Sequence, residues 1–417
     1  MNGLKSGITS ALPSPVLSAY HFVLAFLAAF LNGFPSRHIV VVGVTGTKGK
    51  SSTIEFLNSI FETAGWRTAL SSTIRFKMND VSEPNLKRQT QPGRFFLQGF
   101  LANAVRAGCQ IAFIELTSEG ARQHRHRFID LDALLFINLA PEHIESHGSL
   151  AAYSDAKFEL GKQLVRSRKR PRSMIANAAD PESGRYLTLP VERLIPFSLE
   201  SSAPWEAGER GGNFTFNNRE VHVQLPGAFS LRNALAAAKL AEAMGIPAHT
   251  IAEGIMRLDR TPGRAEEIRE GQNFTVVVDY AHTPDSLQAI YGAYPSRRKI
   301  CVLGSTGGGR DTWKRPVMGA VADKECDAII LTNEDPYDED PHSIISMIAS
   351  GMKERQPEIV MDRREAIRRA LSIARTSDVV LITGKGTDPT IQGPRGTSVT
   401  WSDAEVTRDE IRKLLKK

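Results

Sequence analysis

A chain of 417 residues is longer than one hydrophobic core of ordinary size organises, so two or three domains are expected. Its 41% hydrophobic and 24% charged content, with 33 Gly and 22 Pro, excludes a disordered chain or a fibrous repeat and fits a folded enzyme. The formal net charge of +6 favours anionic ligands, a condition that a nucleotide or a phosphorylated small molecule meets as well as nucleic acid does.

In chain order, the first feature is Val16 to Phe34, an uncharged apolar stretch preceded by the single lysine Lys5. Three readings are open for it: a packed or interfacial helix, which its length and flanks favour, a transmembrane anchor, or a signal peptide. Ala25, Ala28, Ala29 and Asn32 recur at helical spacing and would give such a helix one close-packed side. After Pro35, strands and helices alternate. Ile39 to Val44 is a β-branched run that stops at a Gly/Thr-rich turn, and Ser52 to Ala64 carries apolar residues at helical spacing. Ile111 to Leu116 and Ala133 to Leu139 are buried-strand candidates, as in an α/β sheet covered by helices. Arg166 to Arg172 is basic but lacks interleaved aromatic residues, so it reads as a solvated loop and not a nucleic-acid patch. An alanine-rich helix is expected from Leu225 to Gly245, and Thr261-Pro262-Gly263 marks a domain boundary. Beyond it, Val276 to Val278, Ile300 to Leu303, Ala328 to Leu331 and Val379 to Ile382 suggest a second, smaller doubly wound α/β domain. The expected division is an apolar helical segment over 1–36, a central nucleotide-binding domain over 37–261 and a C-terminal domain over 262–417. Cys109, Cys301 and Cys326 are far apart and odd in number, which argues against a disulfide framework or a zinc site and for a reducing, cytoplasmic compartment.

The strongest single motif is Gly43-Val44-Thr45-Gly46-Thr47-Lys48-Gly49-Lys50-Ser51-Ser52, between the first strand and the first helix of the α/β region. Small residues let backbone N–H groups turn toward phosphate oxygens, Lys50 supplies positive charge, and Ser51 offers a hydroxyl to Mg²⁺ at a helix N-terminus. Residues Thr45 to Ser52 are therefore candidate ATP contacts: Thr45, Gly46, Thr47, Lys48, Gly49, Lys50, Ser51 and Ser52. Val44 stands where the general phosphate-loop pattern has its first Gly. Glu115-Leu116-Thr117-Ser118-Glu119 and Asn138-Leu139-Ala140-Pro141-Glu142-His143 then end strands, and Tyr153-Ser154-Asp155-Ala156-Lys157 lies on a helix. Strand ends are where α/β sheets hold ligands. A carboxylate, an imidazole and a hydroxyl there can hold Mg²⁺, although hard oxygen ligands are its usual preference.

These segments resemble those of the Mur ligase family, most closely its MurE type. Thr45 to Ser51 is similar to the family's Thr-Gly-Thr-x-Gly-Lys-[Ser/Thr], with Lys48 where Asn is usual. Glu115 to Ser118 is similar to Glu-Val-Ser-Ser, Asn138 to Gly148 to Asn-Leu-x-x-Asp-His-Leu-Asp-x-His-Gly, and Tyr153 to Lys157 to Tyr-x-x-x-Lys. Leu225 to Phe229 with Asn233 resembles Leu-Pro-Gly-x-Phe-Asn-x-x-Asn, and Pro262-Gly263-Arg264 matches the Pro-Gly-Arg at the domain junction. Val278 to Leu287 is nearly identical to Val-Asp-Tyr-Ala-His-Thr-Pro-Asp-[Ala/Ser]-Leu, and Gly307 to Pro316 resembles Gly-Gly-Asp-Arg-Asp-x-x-Lys-Arg-Pro. The resemblance runs from Ser36 to Pro389. It implies an α/β fold, a P-loop ATPase domain followed by a Rossmann-like C-terminal domain. It also implies ATP contacts from Asn233, Arg264, Asp279 and His282, and Mg²⁺ held by Ser51, Glu115, His143 and a carbamylated Lys157. Lys50, Lys157 and His143 would be catalytic. Carbamylation would turn the Lys157 cation into a carboxylate-like anion.

Two departures stand out. Too few residues precede Gly43 to build the uridine-binding N-terminal domain of a complete MurE-type enzyme. The acceptor could then be a UDP-MurNAc-dipeptide gripped by the central domain around Thr90-Gln91-Pro92, with Thr117 and Ser118, or a lipid-linked form. The family's Asp-Asn-Pro-Arg, whose Arg clamps the distal carboxylate of diaminopimelate, is here Glu334-Asp335-Pro336-Tyr337. Glu334, Asp335 and Asp338 would suit a side-chain ammonium, as in lysine or ornithine. Gly384-Lys385-Gly386-Thr387-Asp388 resembles Gly-Lys-Gly-His-Glu, which adds Lys385 and Asp388 to the amino-acid site.

The resemblance thus implies a monomeric, cytoplasmic, ATP-dependent amide ligase acting on small molecules, without nucleic acid. If Val16 to Phe34 associates with a membrane, the ATP chemistry puts the rest of the chain at its inner face. A folylpolyglutamate-type ligase and a non-catalytic, ATP-binding scaffold at a membrane are the alternatives. The Tyr280-Ala281-His282-Thr283-Pro284 segment counts against the first, and intact Lys50, Glu115, His143 and Lys157 against the second.

Overall fold

The computed structural model describes residues 14–142 and 144–416, so Lys5 and His143 lie outside the described residues. The chain forms two compact units. The first takes Met1–Leu139, Ser149–Ser201 and Asn233–Ile255, and the second Ala140–Gly148, Ser202–Arg232 and Met256–Lys417.

The first unit is built on β1 (Val40–Thr45), β2 (Thr68–Ser71), β3 (Arg75–Met78), β4 (Val81–Pro84), β5 (Ile111–Glu115), β6 (Ala133–Phe136), β7 (Ser173–Asn177) and β8 (Arg193–Phe197). They form one sheet in the order β4-β3-β2-β5-β1-β6-β7-β8. Strands β2, β5, β1, β6, β7 and β8 pair in parallel, and β3 and β4 add an antiparallel edge. β1 lies between β5 and β6, where the strand order changes direction, so a crevice opens beyond its carboxyl end. β5 and β6 are buried along their whole length, as expected of parallel strands covered on both faces, and this is why they read as continuous apolar runs. β4 is exposed throughout and carries no apolar alternation to reveal it.

Ser14–Leu31 is a helix. Ala25, Ala28 and Ala29 are buried, and Asn32 caps the stretch by donating to the Ala28 carbonyl at 2.8 Å. Small side chains on this face let the helix approach Arg94–Arg106, where a Cβ on Gly99 would stand 3.7 Å from Asn32 Oδ1. Among the described residues no helix is long and apolar enough to cross a membrane, so the anchor reading is not met: 18 residues are packed along one side against their own unit. The basic run is also less solvated than its composition suggested. Lys169 donates to the Ile39 carbonyl and Asp132, and Arg172, only 5% exposed, pairs with Glu192.

The second unit holds β9 (Trp205–Gly208), β10 (Gly211–Phe216) and β11 (Arg219–Val223) as a small antiparallel sheet. Its main sheet comprises β12 (Glu266–Glu267), β13 (Thr275–Asp279), β14 (Lys299–Leu303), β15 (Ala328–Leu331), β16 (Glu358–Ile359) and β17 (Val379–Thr383), in the order β12-β13-β17-β14-β15-β16. Val277, Cys301, Leu303 and Leu381 face one core, and Val276, Val278, Val302 and Val380 the other. Alternate residues of one run thus serve two cores, each side chain contributing about 1.5–3 kcal/mol on burial. Cys301 on β14 and Cys326 at the end of helix Lys314–Glu325 form a disulfide, which overturns the expectation from their spacing. Separation in sequence does not separate a strand from the helix packed over it, and the cysteine argument for a reducing compartment loses its support.

Candidate active site

In the first unit the turn after β1 is shaped by glycine. Gly46 has φ 156° and Gly49 φ 86°, and Gly49 is the N-cap of helix Lys50–Thr63. A Cβ on Gly49 would stand 2.5 Å from Asn233 Oδ1, so the absent side chain lets helix Ala228–Ala243 bring Asn233 against the loop. Lys50 Nζ donates to the carbonyls of Gly46 and Thr47 at 2.9 and 3.0 Å. Asn138, just beyond β6, brackets the loop: its Oδ1 accepts from Lys48 N at 2.9 Å and its Nδ2 donates to the Lys48 carbonyl at 3.2 Å. Thr47 Oγ1 lies 3.1 Å from Tyr153 OH. Lys157, one turn further along helix Leu150–Arg166, is buried and donates to the Gly46 carbonyl at 2.9 Å. The helix thus carries an otherwise expensive buried lysine to the phosphate loop.

Ser51 Oγ donates to Glu115 Oε1 at 2.6 Å, joining the first turn of the loop helix to the end of β5. Glu115 also accepts from Thr73 N at 2.8 Å and, through Oε2, from Thr73 Oγ1 at 2.9 Å, and Thr73 Oγ1 is 3.1 Å from Thr90 Oγ1. A hydroxyl and a carboxylate side by side are hard oxygen donors of the kind Mg²⁺ prefers, so the residues present fit that ion. Among the described residues no group of three or more His, Cys, Asp or Glu is placed to hold a metal, and His143 lies outside them. Thr73 was not foreseen, because a Thr in a polar turn carries no motif. Thr117 caps the short helix Ser118–Arg122 and is held by Gln91 Oε1 at 2.9 Å from its backbone N–H; Arg125 donates to the Gln91 carbonyl. Ser118 is buried beside them.

In the second unit a distinct cluster forms where β13, β14, β15 and β17 end. Asp279 closes β13 and accepts from Ala265 N and Ala281 N, each at 2.6 Å. Arg264 lies 4.3 Å above the Tyr280 ring, and His282 contacts Glu142 at 3.0 Å. Lys385, after β17, reaches both Asp335 oxygens at 2.8 Å and Asp388 at 3.0 Å. Asp335 also accepts from Gln392 N at 2.8 Å. Asp338 is exposed and accepts from Arg395 N, away from that buried group. Glu334 is buried; one oxygen accepts from Thr306 Oγ1 at 2.8 Å and the other has no hydrogen-bond partner among the described residues. Burial pushes its carboxyl above the ordinary range, opposed by the nearby Arg363 and Lys385 charges. Of the three acids expected to meet an ammonium, Glu334 therefore keeps an oxygen open while Asp335 is matched by Lys385.

Profiles of the Mur ligase middle domain and of the Mur ligase glutamate ligase domain match residues 44–241 and 263–386. The UDP-N-acetylmuramoyl-L-alanyl-D-glutamate–2,6-diaminopimelate ligase of Syntrophomonas wolfei is 35% identical over 378 residues, 87% of this chain and 76% of the relative. The chain belongs to the Mur ligase family. As a Mur ligase it is an enzyme that uses ATP to form carbon–nitrogen bonds between an acid and an amino acid. A solved diaminopimelate ligase of the same name shares 27% identity at a TM-score of 0.61, covering 90% of this chain and 79% of that one. The folylpolyglutamate synthase of Mycobacterium tuberculosis superposes with a TM-score of 0.71 and covers 95% of both chains, but at 15% identity it shares the fold alone.

Proposed function

We propose that this Mur ligase adds a diamino acid to the carboxylate of a peptidoglycan precursor, a UDP-MurNAc-dipeptide or a related acceptor, in the cytoplasm. The relatives' activity supports the acceptor, and the grouping of Ser51, Glu115 and Lys157 around the Gly46–Gly49 loop carries the reading. The loop N–H groups and Lys50 hold the β and γ phosphates, and Asn233 flanks the base side of the nucleotide. Ser51 and Glu115 would hold Mg²⁺, with His143 and a carbamate on Lys157 completing its ligands. The ion, when bound, offsets phosphate charge. The acceptor carboxylate, positioned by Thr90, Thr117 and Ser118, attacks the γ-phosphorus as the bridging P–O bond to ADP breaks. The acyl phosphate formed is then attacked at its carbonyl carbon by the incoming amine. The amine loses a proton and inorganic phosphate leaves.

In the second unit we assign Arg264, Asp279 and His282 to the nucleotide side and Glu334 to the distal ammonium of the amino acid. The Asp335–Lys385–Asp388 group fixes the backbone around it. Turnover is tested as phosphate release from ATP and Mg²⁺ with UDP-MurNAc-L-Ala-D-Glu and, in turn, lysine, ornithine and meso-diaminopimelate. Release that needs the acceptor and one diamino acid, and falls at least about 10³-fold in Lys157→Ala, is expected. Silence with all three would sink the soluble UDP-linked acceptor.

A further inference from the structure

Beside helix Ser14–Leu31, in the first unit, lies a cavity of about 200 Å³ to which no step of the ligation is assigned. Ser18, the short helix Ser118–Arg122, the turn after it and Glu159 contribute to its wall, and none of the residues placed at the phosphate loop or with the acceptor does. The wall is polar where an empty cavity is ordinarily apolar. His126 is 1% exposed, and neither of its ring nitrogens has a hydrogen-bond partner among the described residues. The Gly120 carbonyl beside that ring favours a proton on it without completing a hydrogen bond. His124 Nε2 lies 2.8 Å from Ser18 Oγ, but its buried Nδ1 has no partner, and neither does the buried Nε of Arg127. Buried polar groups are ordinarily paired, so several unmet nitrogens around one cavity mark the place of a bound group.

Charge decides the class of that group. Burial, and after it the Arg127 charge, holds both rings below the ordinary histidine range, His126 at about 3; Arg94 adds to the effect on His124, and Arg166 to that on His126. The acid at the wall, Glu159, is already shared by Lys162 at 2.6 Å and by Arg127 and Arg166, each at 3.6 Å. The surroundings are therefore positive. A metal cation is disfavoured there, and among the described residues no group of three or more His, Cys, Asp or Glu is placed to hold one. An anion would answer each of these repulsions, whereas water would fill the space and leave the charge unmatched. Ser18 comes from one helix, Arg122 from another, and His124, His126 and Arg127 from the turn after it. Acceptors pointing in several directions, as on a tetrahedral phosphate, suit such a wall better than the two coplanar oxygens of a carboxylate.

We propose that this cavity binds a small tetrahedral oxyanion of the phosphate type, held by the Arg127 guanidinium and the His124 and His126 rings beside the Ser18 hydroxyl. It is a second anion site, separate from the phosphate loop. The proposal does not depend on which amino acid or acceptor is ligated, and its test needs no turnover.

The full chain, labelled with ¹⁵N at its ten histidines, is titrated with inorganic phosphate and, at matched ionic strength, with chloride, while the ring nitrogens are followed by nuclear magnetic resonance. The signal missing from His126→Gln assigns His126. A saturable shift of the His126 ring with phosphate and not with chloride is expected, with an affinity at least about tenfold weaker in Arg127→Gln and partly retained in Arg127→Lys. Arg127 is partly exposed and Glu159 keeps two other cations, so both variants should fold, which circular dichroism checks. Lys50→Met, which weakens phosphate binding at the loop, is expected to leave the His126 titration as it was. Absence of a saturable shift, an equal response to chloride, an unaltered affinity in folded Arg127→Gln, or a response lost in Lys50→Met would each overturn the proposal.

Discussion

Around the phosphate loop of the first unit, Lys50 and Lys157 donate to backbone carbonyls, Lys157 from a buried position. In the second unit several buried cations meet carboxylates: Arg363 grips Asp403 through two hydrogen bonds at 2.8 and 2.6 Å, Arg315 pairs with Glu339, and Lys385 with Asp335. Removing one member of the second kind of pair strands a buried charge, whereas the donations of Lys50 and Lys157 hold the backbone of the loop in shape. Charge in one region braces a turn through its backbone carbonyls, and in the other it holds the walls of a site in place.

The sharpest way to break this contrast is Arg363→Met. Both partners are almost wholly buried, with side-chain exposures of 1% and 0%, so Asp403 would lose its counter-charge and keep the Trp401 indole at 2.7 Å. A loss of about 3–5 kcal/mol is expected, read as a fall in the melting temperature of the full chain. Gly49→Ala acts on the other region. The positive φ and the 2.5 Å approach to Asn233 Oδ1 predict a loss of about 1–3 kcal/mol, with weaker ATP binding measured by calorimetry.

Glu334→Gln sharpens the comparison with a smaller and pH-dependent effect. Burial raises the Glu334 carboxyl above its ordinary 4.5, so the folded state holds the proton more tightly than the unfolded chain. The stability this gives is fully present below that ordinary value and is lost as pH rises through the folded one. Glutamine keeps the shape without titrating. The variant is therefore expected to gain thermal stability relative to the parent as pH rises from 5 to 8, by about 1 kcal/mol or less, and to lose discrimination for a diamino acid. Melting curves that run parallel across that range would contradict a buried, unpaired carboxylate.

Much of this was legible in residue order. The apolar runs of β5, β6, β13, β14, β15 and β17 announce parallel strands because both faces are covered, and the Gly46-to-Ser52 segment announces a phosphate loop because its conformation needs small residues. Ser51 with Glu115, and Lys157 beside the loop, were placed by the family resemblance and are joined by direct hydrogen bonds. Edge strand β4 escaped notice because its exposure leaves no periodic signal, and β3 beside it because its one buried residue is Lys77.

Local chemistry is what the sequence by itself determined: turns that only glycine enters, runs too apolar to face water, and a loop of small residues with a lysine and a hydroxyl at a helix N-terminus. Tertiary structure alone decided the partners, because a side chain's reach depends on which strands are neighbours. It joined Cys301 to Cys326, closed Asp335 on Lys385 while leaving Glu334 an open oxygen, and drew Thr73 to Glu115. It also divided helix Ser14–Leu31 into a packed alanine face and an exposed apolar one, a distinction that hydropathy does not contain because both faces are equally free of charge.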